Sequence, residues 1–152
     1  MTRVAGLIVL CAAVALAASG CGGSSGPHTL SKKDYIAQMN VLSGQVRSFL
    51  DGLRTPAPSA RVAAARLSSL RDRLEAGAAK LDKIVPPKEI ENQHRALVTG
   101  VRDLVDELDP LIARIRRGNL PLIATVTSLP GVSEIQAAVV ALAQKGYLIG
   151  TA

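Results

Sequence analysis

The sequence predicts an all-α domain: an antiparallel up-down-up-down four-helix bundle with its last helix broken. Three observations carry this. Apolar residues fill 48% of the 152 positions but aromatics only 2%, so a core must be built from Ala, Val, Leu and Ile. Alanine and leucine are strong helix formers. From residue 31 onward, apolar positions recur at alternating spacings of four and three, in runs separated by Pro- and Gly-bearing joints. A three-helix bundle followed by a C-terminal hairpin is the alternative arrangement.

The first helix should begin at Ser31, with Asp34 three residues on in the manner of a capping box. Its seam is Tyr35, Met39, Leu42, Val46, Phe49 and Leu53, and Thr55-Pro56-Ala57-Pro58 should stop it near Arg54. Ser59 can cap the second helix, whose seam is Ala63, Leu67, Leu70, Leu74, Gly77, Leu81 and Ile84. Gly77 and its neighbouring alanines would let another helix come close. Pro86-Pro87 ends this helix and starts the next, Pro87 being acceptable in a first turn.

The third seam is Ile90, His94, Leu97, Val101, Leu104, Leu108, Leu111 and Ile115. Pro110 removes one helical hydrogen bond, yet the seam runs on past it, which favours a kink over a stop. Gly118 suits a C-terminal cap. Leu122, Val126 and Leu129 then suggest a short helix, broken by Pro130-Gly131. Val132, Ile135, Val139 and Leu142 continue to a cap at Gly146, and the apolar Tyr147-Leu148-Ile149 should fold back onto the bundle end.

The N-terminus reads differently. Arg3 precedes fifteen uncharged, mostly apolar residues, Val4 to Ala18, too few for the roughly 20 that cross a bilayer but fitting for a signal segment. Ala18, Ser19 and Gly20 then precede Cys21. This stretch resembles the lipobox of bacterial lipoproteins, with Ala18 standing where that family most often has leucine. The resemblance implies cleavage before Cys21, lipid on its sulfur, and a location at the extracytoplasmic face of the cell membrane. The alternative is an ordinary secretory signal cut near Ala17 or Ala18. The domain's opening (SKKDYIAQ) and close (KGYLIG) are similar to small, uncharacterised helical lipoproteins of high-GC bacteria, a resemblance that implies no activity. The expected organisation is therefore a signal peptide at 1–20, lipidated Cys21 with a tether at 21–30, and a bundle at 31–152. The eight residues Gly22 to Thr29 behave on composition as a coil of roughly 16 Å root-mean-square span.

The formal charge is +6, and losing the leader removes Arg3 and leaves +5. This mild excess suits anionic headgroups or plain solubility. Without a dense basic run or aromatics for base stacking, nucleic acid is not an expected partner. Cys11 lies in the leader and Cys21 carries the lipid, so no thiol chemistry is expected in the fold.

Few residues suggest a reacting or ligand-binding centre. Glu91 and His94 have the Glu-x-x-His spacing of di-iron bundles, but such a site needs a second pair and two further glutamates. The expectation is a buried seam histidine hydrogen-bonded to a neighbour, with no metal and no cofactor. Asp103, Asp106 and Glu107 share a helical face, with Asp109 nearby. Calcium takes six to eight oxygens, usually from a loop, so these carboxylates are expected to face Arg71, Arg73 or Lys80, or water. Arg61, Arg66, Arg71 and Arg73 on the second helix, and Arg114, Arg116 and Arg117 ending the third, form basic faces suited to an anionic lipid or acidic polymer, or simply to solvent. No nucleophile elbow, phosphate loop or His-Glu-x-x-His is present, so no catalytic residues are expected and the chain does not read as an enzyme. The expected role is a membrane-anchored, non-enzymatic envelope module that meets another envelope protein. The alternative is a carrier of a small apolar ligand or lipid, with Gly77, Ala78 and Gly100 leaving room between helices.

Overall fold

The computed structural model describes residues 28–53 and 55–150, which form an all-α helical bundle. Among the described residues there are four α-helices and no strand. The leader 1–20, Cys21 and the tether as far as Pro27 lie outside them.

Helix α1 spans Lys32–Leu53 and opens as the capping pattern predicts. The Asp34 N–H donates to Ser31 Oγ at 3.2 Å, and the Ser31 hydroxyl donates to Asp34 Oδ2 at 2.6 Å. Helix α2 spans Ala60–Leu81, with Ser59 Oγ accepting from the Val62 N–H at 3.3 Å. The chain then turns through Pro86-Pro87 into a 3-10 turn, Lys88–Ile90, that leads into α3 at Glu91–Arg116. A 3-10 segment, Leu120–Ser128, precedes α4 at Pro130–Gln144.

Helix α3 is the centre of the bundle, packed against α2 on one side and α4 on the other. All eight predicted seam positions, from Ile90 to Ile115, are buried. Val98, Val105 and Ile112 are buried beside them, widening the stripe enough to serve two partners. Burial of each such aliphatic side chain stabilises the fold by about 1.5–3 kcal/mol. Pro110 does not stop α3. It is exposed, so the Asp106 carbonyl that it cannot serve lies on the hydrated side.

The contacts fix the directions. Arg71 meets Asp109 and Leu81 meets His94, so α2 and α3 are antiparallel. Gly131 lies against Leu104 and Gly100 against Ile135, so α3 and α4 are antiparallel too. Tyr35 reaches His94, which sets the start of α1 beside the start of α3.

Two helix ends close by the same motif. At Gly118 (φ 104°) the Gly118 N–H donates to the Ile115 carbonyl and the Asn119 N–H to the Arg114 carbonyl. At Gly146 (φ 79°) the Gly146 N–H donates to Ala143 and the Tyr147 N–H to Leu142. Both are Schellman caps, in which glycine supplies the left-handed residue.

Three expectations need correction. Pro130-Gly131 is a helix start rather than only a break: Pro130 occupies the first turn of α4, where its missing N–H costs nothing. Gly77 does not bring a helix close, since a Cβ added there meets nothing within 4 Å. Close approach occurs at Gly131 instead, where a Cβ would stand 2.6 Å from the Leu104 nitrogen. It also occurs at Gly100, where a Cβ would stand 3.1 Å from Glu134 and Ile135. Finally, the C-terminal tail does more than cover the bundle end: it runs back along α1. Gly150 donates its N–H to Asn40 Oδ1 at 2.7 Å and accepts from Arg47 at 2.7 Å.

The α1 seam is the least sealed. Tyr35 and Met39 are buried but Leu42 and Val46 only half-buried, and the side chains of Phe49 and Leu53 lie outside the described residues. A cleft of about 350 Å³ separates α1 from α2, lined by Leu42, Val46, Leu74, Gly77, Leu81 and Val101 among others.

The glycines provide a paired test. Gly131→Ala drives a methyl into the Leu104 backbone and should cost about 1–3 kcal/mol in urea unfolding. Gly77→Ala should gain about 0.4–1 kcal/mol, because space is free and the unfolded chain loses freedom. Equal effects at the two sites would contradict the packing of α4 on α3.

Candidate functional site

Every seam position of α3 is aliphatic except His94, which is 6% exposed. A buried imidazole needs partners at both nitrogens, and it has them. His94 Nε2 lies 3.1 Å from the Leu81 carbonyl, which can only accept, so Nε2 carries the proton. Nδ1 therefore accepts from the Tyr35 hydroxyl at 3.0 Å. Three elements, α1, the end of α2 and α3, are joined at this one ring.

The knot continues into the C-terminal tail. The Tyr35 ring packs edge-on against both His94 and Tyr147, each at 5.6 Å between centroids. The Tyr147 hydroxyl donates to Glu89 Oε1 at 2.5 Å. The Lys32 ammonium stands 4.8 Å from the centre of the Tyr147 ring, and Lys145 donates to the Glu89 carbonyl. Burial pushes both phenols up to about 12, helped by the other tyrosine for Tyr35 and by Glu89 for Tyr147. Glu89 is held below the usual carboxylate range, first by the Tyr147 hydrogen bond.

Burial also lowers the His94 pKa, more than the Leu81 carbonyl and the Asp82 charge raise it. The neutral ring is thus the one the fold accommodates. Glu91, the other half of Glu-x-x-His, is exposed and accepts from Arg95 at 3.2 Å, away from the histidine. With one nitrogen protonated and the other's lone pair held by Tyr35, His94 has no electron pair to offer a metal. Among the described residues no group of three or more His, Cys, Asp and Glu side chains is placed to hold an ion.

The carboxylates on α3 separate toward different neighbours. Asp109 meets Arg71 at 3.0 Å, as expected of this face. Glu107 instead accepts from the Gly131 N–H, at 3.1 and 3.3 Å to its two oxygens, where the α4 dipole favours an anion. Asp103 stands beside Glu134 of α4, and the closeness of the two carboxyls raises the Glu134 pKa. Asp106 lines a hollow facing α2 beside Arg102. So Asp103 and Glu107 meet α4, not the α2 cations, because the face they share lies on the α4 side of a helix with two partners.

Of the arginines, Arg71 binds Asp72, Glu75 and Asp109 together, and Arg66 donates to the Thr55 carbonyl. Arg61, Arg73, Arg114, Arg116 and Arg117 are exposed. The open surface between α3 and α4 is a shallow groove of about 710 Å³ floored by Ala96, Ala137, Ala138 and Ala141. No known protein family, curated protein or solved structure matches this chain.

Sequence reasoning missed the partnership of Tyr35, Tyr147 and Glu89 with His94. The available signal was scarcity: the chain has only two tyrosines, and both converge on its one histidine within a helix seam.

The His94 environment sets a pH dependence. In the unfolded chain the ring titrates near 6.5, and in the fold below it, so between those values the unfolded state binds more protons. Stability should therefore be constant above about pH 6.5 from this group and fall progressively below it. Tyr35→Phe should cost about 1–3 kcal/mol by orphaning Nδ1. It should also make the decline shallower, since Nδ1 becomes free to take a proton in the fold and the gap between folded and unfolded states narrows. Urea unfolding across pH 4–8 checks both; a flat profile that Tyr35→Phe leaves unchanged would contradict them.

Proposed function

We propose that this chain is a membrane-anchored lipoprotein of the extracytoplasmic face whose bundle acts as a non-enzymatic interaction or structural module of the envelope. The observation that carries the reading is the Ala18-Ser19-Gly20-Cys21 sequence after an uncharged apolar run. Two or three acyl chains on Cys21 would hold the protein stably, where one would not. The bundle supports the non-enzymatic half. Its one buried histidine and the α3 carboxylates Glu107 and Asp109 are engaged in joining helices. The segment Leu120–Gln144 is long and apolar enough to cross a membrane by length and composition, and within the fold it lies along α3.

A second reading, a carrier of a small apolar ligand, is favoured by one feature, the cleft between α1 and α2. Gly77 opens that cleft, whereas the space beside Gly100 is filled by α4.

Intact mass of the protein purified from its own membranes tests the anchor. The expected species begins at Cys21 and carries diacylglyceryl mass, and Cys21→Ser leaves the membrane fraction. A mature chain beginning near Ser19 with a free Cys21 thiol would refute the reading. Crosslinking in the same cells then separates the roles: capture of one envelope protein, lost in Cys21→Ser, supports the module, and an apolar molecule retained in the cleft supports the carrier.

A further inference from the structure

The chain has six lysines, and all six stand at one end of the bundle, although they are spread from residue 32 to residue 145. Lys32 and Lys33 open α1, Lys80 is in the last turn of α2, Lys83 and Lys88 flank the α2–α3 joint, and Lys145 ends α4. All are exposed. Contacts confirm that these elements meet: Lys32 donates to the Lys145 carbonyl at 3.5 Å, Lys145 to the Glu89 carbonyl, and the Leu30 N–H to the Val85 carbonyl at 2.9 Å.

This is also the end from which the chain leaves toward Cys21. We infer that the lysine-bearing end of the bundle docks on the anionic phospholipid headgroups of the membrane that carries the anchor, holding the bundle upright. The inference rests on the proposed lipid anchor for the proximity of that membrane.

Local helix electrostatics does not account for the cluster. Lys80 and Lys145 suit helix C-termini, but Lys32, Lys33 and Lys88 stand where a helix N-terminus disfavours a cation. Nor do local carboxylates neutralise it. Asp82 pairs with Arg102 and Glu91 with Arg95, which leaves Asp34 and Glu89, the latter beside Lys145 and Lys32, against six lysines. Among the described residues, Lys33, Lys80, Lys83 and Lys88 pair with no carboxylate. Counting Arg95 and Arg102, the end has eight cations against four carboxylates.

Distance selects the surface these charges meet. From Cys21 to His28 the chain spans at most about 25 Å. The arginines at the far end of α3 are a further 40 Å or so along the bundle axis, at about 1.5 Å per residue of helix. Screening limits attraction to about 8 Å in physiological salt, so in an upright bundle the lysines reach the headgroups and Arg114, Arg116 and Arg117 do not. Each lysine near an anionic surface adds about fivefold to partition.

The test is a trace-level modification footprint of the protein as purified, mixed with vesicles of phosphatidylcholine alone or of equal phosphatidylcholine and phosphatidylglycerol. Acetylation of Lys33, Lys80, Lys83 and Lys88 should slow about fivefold or more only with phosphatidylglycerol. It should recover in 1 M salt, where screening shortens to about 3 Å. Phenylglyoxal modification of Arg114, Arg116 and Arg117 should not change. Equal lysine rates on both vesicles, or protection of the arginine end instead, would overturn the inference. Flotation with neutral vesicles reports the anchor separately: protected lysines without flotation there keep the lysine surface and remove the anchor.

Discussion

The bundle depends on one helix being buried from two sides. Helix α3 carries an apolar stripe wide enough for α2 and α4 at once, and no other helix has comparable burial. Everything else is arranged around it. Gly131 lets α4 come in over Leu104, and Glu107 holds the α4 N-terminus at that crossing. Arg71 of α2 reaches Asp109 on the opposite side. Helix α1 has no such apolar claim on α3, and what it has is a polar one: Tyr35 to His94, backed by the Leu81 carbonyl.

That difference explains the distribution of packing. A stripe of Leu, Ile and Val packs closely against alanine-rich α2 and α4, whereas α1 stands off from α2 and leaves a cleft lined by Leu42, Val46 and Val101. The C-terminal tail compensates. It lays Tyr147 against Tyr35, hands Gly150 to Asn40 and Arg47, and so clips α1 from its outer side. A bundle with few aromatics concentrates both of its tyrosines where aliphatic packing is thinnest.

Much of this was legible in the sequence. The α3 seam from Ile90 to Ile115 is buried at every predicted position, because a long amphipathic stripe leaves only one face to bury. Ser59, Gly118 and Gly146 cap as expected, because caps are local chemistry. Pairing between helices was less legible. The spacing of Asp103, Asp106 and Glu107 placed them on one face but did not say which neighbour that face meets. Gly77 sits among alanines in a helix seam and Gly131 at a Pro-Gly joint, yet the packing leaves open space at the first and a 2.6 Å approach at the second. The His94 knot joins residues 35, 81, 94 and 147, separations that periodicity does not encode.

Native-state hydrogen exchange tests the hierarchy most directly. If α3 is the shared core and α1 is held mainly by the knot and tail, α3 amides should exchange only through global unfolding. The α1 amides should then exchange through a smaller opening, several kcal/mol below the global value. Protection of α1 equal to that of α3 would contradict the account, and so would an opening that releases α4 before α1.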